Sequence, residues 1–298
     1  MLPAAAVAAA LAVAAGTGWQ LGGIDETGIP PGVMRAAAHV EIAVIDTGAD
    51  VSVPEIAARK SGSYDARTGT SDVQDANGHG TFVTSIAAAY GGDARLLLIK
   101  AGSSSGAFTD AAESIAIRYA VRHGARIINL SIGGPSTSKT ERAAIRFAVT
   151  RDVLVVTAAG NDHGMGNPVE YPAALVQPVG SDGVGGSGLV VAASEHGGRH
   201  AAFSGSGSWI SIAAPGVAVY GALGRGRYGY GSGTSFAAAE VSGAAALVWA
   251  ANPALTALGV AHVLEQTASG HGTWTPELGY GVVDAVAAVA RARSLSDS

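Results

Sequence analysis

Three short segments, in a fixed order along the chain, supply an acid, a base and a nucleophile. They are Asp46-Thr47-Gly48, Asn77-Gly78-His79-Gly80-Thr81 and Gly233-Thr234-Ser235-Phe236-Ala237. Each lies among glycines, which let backbone approach side chain closely. A serine hydroxyl is a poor nucleophile at neutral pH. It needs a neighbouring imidazole to take its proton and a carboxylate to hold that imidazole in one tautomer. Ser235 is therefore the candidate nucleophile, His79 the candidate general base and Asp46 its orienting acid. Each also has a plainer reading. Serine is a favoured helix cap, an Asp after a strand closes an Asx-turn, and the chain has 8 histidines. Singly the segments decide little; as an ordered set they point to nucleophilic catalysis.

For these groups to meet, the fold must carry distant segments to one edge. Apolar runs that read as buried strands occupy 40–45, 95–100, 126–130, 153–157, 189–192 and 210–213. Helical patterns occupy 79–90, 110–123, 139–150, 234–251, 256–266 and 283–293. Continuous Val/Ile/Leu strands alternating with helices predict an α/β fold: a three-layer sandwich, its central sheet mostly parallel, with helices on both faces. Sites in such sheets form beyond the carboxyl ends of the strands. Asp46 directly follows the first strand, Asn161 follows the 153–157 strand, and His79 and Ser235 each open a helix. All four are thereby sent to one edge.

The three segments resemble those of the subtilisin-like serine proteases, in which acid, base and serine occur in this order. The resemblance runs from about Trp19 to about Ala290. It implies a serine endopeptidase that hydrolyses peptide bonds through an acyl-enzyme, using Asp46, His79 and Ser235. Ala158-Ala159-Gly160-Asn161 matches the segment that carries the oxyanion-hole amide, which implies that role for Asn161 and substrate contact for Ala158 and Gly160. Ser131, Ile132 and Gly133 resemble one wall of the substrate cleft, and 101–106 the opposite edge. Both walls would hold an extended peptide as an added strand. Val169-Glu170-Tyr171-Pro172 matches the floor of the primary pocket, where Glu170 stands in place of a small residue and would favour Lys or Arg before the cut bond. There are departures. Ala239 and Glu240 replace the usual proline and the residue after it, and a Glu so near the site would raise the pKa of the base. Phe82 replaces a histidine, which implies a packing change. The same resemblance leaves room for a catalytically inactive binding module or a narrow-specificity maturation protease.

Composition bounds the rest. The 298 residues suit one sizeable α/β domain, expected over 19–293, followed by a polar tail at 294–298. A formal charge of −5 with no long basic run argues against nucleic-acid binding. No cysteine is present, which excludes thiol catalysis and thiolate metal sites. Residues 1–18 form an apolar leader that reads as a signal peptide, with Ala12-Val13-Ala14 as a cleavage site, although no Lys or Arg precedes it. A secreted or cell-envelope location is expected, and a cytoplasmic one if the leader is no signal. Only about eighteen residues precede Trp19, too few for the pro-domain that many relatives carry, so the expectation is that the chain either folds unaided or has a truncated start. No cofactor is required by this chemistry. Asp72, Asp75 and Asn77 form an oxygen-rich loop that could hold Ca²⁺, though turn chemistry accounts for the same residues. The expected partner is a peptide or protein substrate, met by a monomer without a membrane anchor.

Overall fold

The computed structural model describes residues 28–183 and 185–296. The leader reading falls on residues outside these. After a short helix α1 (Pro31–Ala36) and one turn of 3₁₀ helix come β1 (Glu41–Asp46), α2 (Pro54–Arg59), β2 (Lys60–Asp65), α3 (His79–Tyr90), β3 (Arg95–Lys100) and α4 (Asp110–Arg122). Then follow β4 (Ile127–Leu130), α5 (Lys139–Val149), β5 (Leu154–Ala158), α6 (Ala173–Val176), β6 (Leu189–Ser194) and β7 (Ile212–Pro215). A hairpin of β8 (Val219–Gly224) and β9 (Arg227–Gly231) leads into α7 (Thr234–Ala251), α8 (Ala257–Thr267) and α9 (Ala285–Ser296). The last helix thus takes in 294–296 of the polar tail.

Seven strands form one parallel sheet in the order β2-β3-β1-β4-β5-β6-β7. The chain leaves β1 toward β2 and β3 on one side, then crosses to β4 and beyond on the other. The switch point of the sheet therefore lies at β1 and β4, where a crevice opens beyond the strand ends. Asp46 is the last residue of β1 and pairs in register with Lys100, while Ile45 pairs with Leu130 of β4.

Both faces of the sheet are covered, so alternate residues of one strand enter opposite cores. Ile42 and Val44 of β1 join the α3–α7 side, and Ala43 and Ile45 join the α4–α5 side. Each fully buried Ile or Val of this kind contributes about 1.5–3 kcal/mol of transfer free energy. Helix α7 is buried along almost its whole length. It is apolar and long enough to cross a membrane by composition, yet 89% of that stretch is buried within the protein, as for a core helix. Its alanines let it lie close to α3, and Gly243 sits against the backbone of Tyr90, where a Cβ would overlap.

Among the strands, β2, β8 and β9 match none of the apolar runs in the sequence, and the short helices α1, α2 and α6 match none of its helical patterns. Strand β2 (Lys-Ser-Gly-Ser-Tyr-Asp) lies at the sheet edge with its first two residues exposed, so it lacks the apolar run that marked the others. The β8–β9 hairpin mixes glycine and tyrosine along strands whose burial is only partial.

Candidate active site

His79 is the first residue of α3, and its position depends on a lattice of bonds below it. Gly78, at φ +100°, forms the N-cap and offers no side chain to the exposed amides. Asp75 takes that part instead. Its carboxylate accepts from the backbone N–H of Asn77 (3.1 Å), Gly78 (2.9 Å) and Thr81 (2.8 Å), and from the hydroxyls of Thr81 (2.7 Å) and Thr47 (2.9 Å). Thr47 in turn accepts the Gly80 N–H at 2.9 Å. Helix α3 is thereby stitched to the end of β1. A Cβ at Gly80 would collide with the Gly48 carbonyl and crowd Asp46, so only glycine permits this approach. Among the described residues no group of three or more His, Cys, Asp or Glu is placed to hold a metal ion. The Asp75 carboxylate of the oxygen-rich loop is engaged by five protein donors.

Asp46 is 1% exposed, and its Oδ1 meets His79 Nδ1 at 2.7 Å while also accepting the Thr47 N–H at 2.7 Å. Burial of His79 disfavours the imidazolium. The Asp46 carboxylate opposes it by charge and by hydrogen bond, with Asp75 adding to the effect, and the balance lifts the imidazole above its ordinary value. Ring Nδ1 is occupied by Asp46, which leaves Nε2 for the cleft.

Ser235 occupies the second position of α7, and Gly233, not the serine, is the N-cap. The cap reading of Ser235 is thus overturned by geometry. Its hydroxyl points toward the Ser131 carbonyl at 3.4 Å, and the Ser131 hydroxyl donates to the Ser235 carbonyl at 2.9 Å. Ser131 itself accepts from Asn129 at 2.9 Å, and Asn129 accepts from Ser242 at 3.0 Å, a buried polar chain between β4 and α7. Because Ser235 lies in the first turn, its N–H has no intrahelical acceptor and is open to an anion.

Asn161 stands three residues beyond β5. Its Oδ1 accepts from both the N–H (2.9 Å) and the hydroxyl (3.1 Å) of Thr234. That pair fixes the amide flip, so Nδ2 is the end presented to the cleft. Gly160, at φ +97°, donates its N–H to the Thr234 hydroxyl at 3.2 Å.

A cleft of about 330 Å³ joins these groups. Its lining includes His79, Ser131, Ile132, Gly133, Ala158, Gly160, Asn161, Glu170 and Ser235, with Gly106 and Phe108 on the far edge. Of the candidate catalytic and substrate-contact residues named individually from sequence, Asp46 alone is absent from the lining; it is hydrogen-bonded to His79. Glu170 closes the cleft between Gly133 and Gly160, and a Cβ on either glycine would overlap its carboxyl. The loop bearing it is held by reciprocal bonds between Gly134 and Tyr171, at 2.8 and 3.0 Å. Burial, and then the charge of Asp162, raise the Glu170 carboxyl above the usual range.

One expectation is corrected. Glu240 does not act on the base. It is fully buried in α7 beside the Tyr90 hydroxyl, where burial drives its pKa well up, and the carboxylates that raise the His79 imidazole are Asp46 and Asp75. Phe82 behaves as a packing residue, its ring 4.4 Å from that of Phe236. Asp75 and Thr47 were missed as site residues. Thr47 follows Asp46 directly, but Asp75 is 28 residues further on and looked like an ordinary turn.

Comparison with known proteins bears on the whole arrangement. A family model described as the Subtilase family matches residues 37–281. The chain belongs to the subtilase family. It is 35% identical over 257 residues to the thermophilic serine proteinase of Bacillus sp. strain AK1, covering 81% of this subtilase and 60% of that protein. It is 33% identical over 280 residues to Subtilisin Savinase of Lederbergia lenta, covering 87% and 98%. This subtilase therefore spans less than two thirds of the length of some relatives. Among solved structures, a cold-adapted subtilisin-like serine proteinase superposes with TM-score 0.70 at 26% identity, covering 83% of this subtilase and 88% of that chain. The MycP3 protease of the type VII (ESX-3) secretion system superposes with TM-score 0.71 at 28% identity, covering 91% and 87%.

Proposed function

We propose that this subtilase is a serine endopeptidase whose catalytic domain spans 19–293 and acts on extended peptide segments outside the cytoplasm. The observation that carries the reading is the 2.7 Å contact of His79 Nδ1 with a buried Asp46, made in the same cleft that holds the Ser235 hydroxyl. A turn of Ser235 about χ1, away from the Ser131 carbonyl, presents its hydroxyl to His79 Nε2, a bond that commonly tightens only when substrate is bound. Oγ then attacks the scissile carbonyl while Nε2 takes the proton. The Ser235 N–H and Asn161 Nδ2 receive the developing oxyanion. Asp46 holds the tautomer and offsets the imidazolium charge. His79 returns its proton to the leaving amine, and water, activated by the same imidazole, releases the acyl-enzyme. The backbones of Ser131–Gly133 and of the 101–106 edge would hydrogen-bond the substrate as an added strand.

Glu170 is proposed as the selectivity element, seating a Lys or Arg side chain at the floor of the primary pocket. A restricted pocket of this kind, together with the likeness to MycP3, favours a processing role over broad degradation. Natural cleavage products, compared with a Ser235→Ala control, separate the two.

Fluorophosphonate labelling of the folded protein tests the central claim. The expected result is one covalent adduct, mapped to Ser235 and absent in Ser235→Ala. A folded protein that takes up no label would make the site a binding module instead.

A further inference from the structure

The outer surface of the α4–α5 layer carries a charge opposite to that of the protein as a whole. Overall the chain has 18 Lys and Arg against 23 Asp and Glu. Six of those cations, Arg118, Arg122, Lys139, Arg142, Arg146 and Arg151, lie on or just after these two packed helices. Acidic residues on the layer are either buried, as Glu113 and Glu141 are, or sit at its ends, as Asp110 and Asp152 do. Among the described residues none of the six cations forms an ion pair. Three guanidiniums converge instead on one ring, with Arg151, Arg118 and Arg122 centred 3.7, 4.8 and 5.8 Å from the Phe147 centroid. Cations gathered this closely repel one another, and although the Phe147 ring face attracts them, no carboxylate pairs with any of the three among the described residues.

Apolar surface lies among them. Ile115 is 45% exposed and shares the α4 stripe of Arg118 and Arg122, being three and seven residues before them. Phe147 is itself only partly buried. Basic side chains around exposed isoleucine and phenylalanine on a two-helix face have the composition of an interfacial surface, in which apolar groups enter the headgroup boundary while cations meet phosphates. A polynucleotide would use the charges and leave the isoleucine without a role.

We propose that the α4–α5 face docks on an anionic phospholipid bilayer, as a peripheral contact that does not span it. The layer covers one face of the sheet, whereas the cleft opens at the strand ends. Docking there leaves the cleft accessible from the side and holds it close to membrane-associated polypeptides.

Vesicle co-sedimentation tests this on the full chain, with phosphatidylglycerol-containing vesicles compared against phosphatidylcholine alone. The wild type is expected to bind the anionic vesicles and to be released by salt. A triple variant, Arg118→Glu, Arg122→Glu and Arg146→Glu, is expected to partition on the order of 100-fold less, at about 5-fold per cation removed, with thermal melting unchanged. Equal binding to both vesicle types overturns the proposal. Undiminished binding of the folded triple variant also overturns it, and assigns any affinity to the apolar N-terminus. Binding of duplex DNA tighter than of anionic vesicles would make the face a polynucleotide site and likewise overturn it.

Discussion

Removal of the Glu170 charge is expected to invert the preference for the residue before the cut bond. Glu170 is 9% exposed; its carboxyl lies between the Gly133 and Gly160 backbones and makes no ion pair among the described residues. A substrate ammonium or guanidinium arriving about 4 Å away would interact by about 4 kcal/mol at an effective dielectric near 20. Both groups lose water on pairing, and removing one partner of such a desolvated pair costs about 2–5 kcal/mol. Glu170→Gln should therefore lower kcat/KM for Lys and Arg substrates by about 30-fold or more. Substrates with Leu or Phe at that place should change little with Gln and gain with Glu170→Gly, which frees the space between the two glycine walls. The assay is kcat/KM on peptides identical except at that one residue, repeated across pH. Burial and Asp162 raise the Glu170 pKa, so the group is neutral in acid and charged above its elevated pKa. Preference for cationic residues should grow as pH rises through that range, and the Gln variant should show no such trend. A wild type that prefers Leu or Phe at every pH, or a Gln variant that keeps its choice of Lys and Arg, would refute the reasoning.

Other expectations follow from the same geometry. Asn161→Ala should lower kcat by about 10²–10³-fold with KM nearly unchanged in steady-state assays, the magnitude being that of the corresponding donor in a subtilisin. Asp75→Asn should move the acid limb of the kcat/KM profile to lower pH, because Asp75 helps hold the His79 pKa up; an unmoved limb on a folded variant would deny that contribution. Glu265 is 5% exposed and burial alone pushes its pKa to about 8, above an unfolded value near 4.5. Its folded form thus gains a proton, so its contribution to stability is fully present below pH 4.5 and is lost as pH rises toward 8. About 3 kcal/mol should be lost between pH 4 and pH 7 through this group, and Glu265→Gln should flatten that part of the denaturant-derived stability curve. Ser235→Ala should abolish turnover and leave the melting temperature within a degree or two, since the hydroxyl caps nothing.

Legibility of the chain followed burial. Strands β1, β3, β4, β5 and β6 are covered on both faces and so declared themselves as apolar runs, with ends displaced by no more than two residues and those of β3 not at all. Strand β2 was hidden because an edge strand touching solvent needs no such run, and its pairing with β3 rests on backbone bonds. Within the site, Asp46, His79, Asn161 and Ser235 stood out because each is embedded in a short motif with glycine beside it. Asp75 did not, since its role comes from five donors that only the tertiary fold assembles. The burial of Glu113, Glu240 and Glu265 was equally invisible. A glutamate on a helix is ordinarily solvated, and no local pattern announces that its face has turned inward.

Helix α7 carries Ser235 at its first turn and is buried along almost its whole length. Reactive groups borne on loops can be lost through local opening that leaves most of a fold intact. Here the proposed nucleophile shares its backbone with the core, so amide hydrogens a few turns beyond Ser235 should exchange only through global unfolding. Heat inactivation and melting should then fall at one temperature, and partly opened, still cooperative forms that have lost activity should not accumulate.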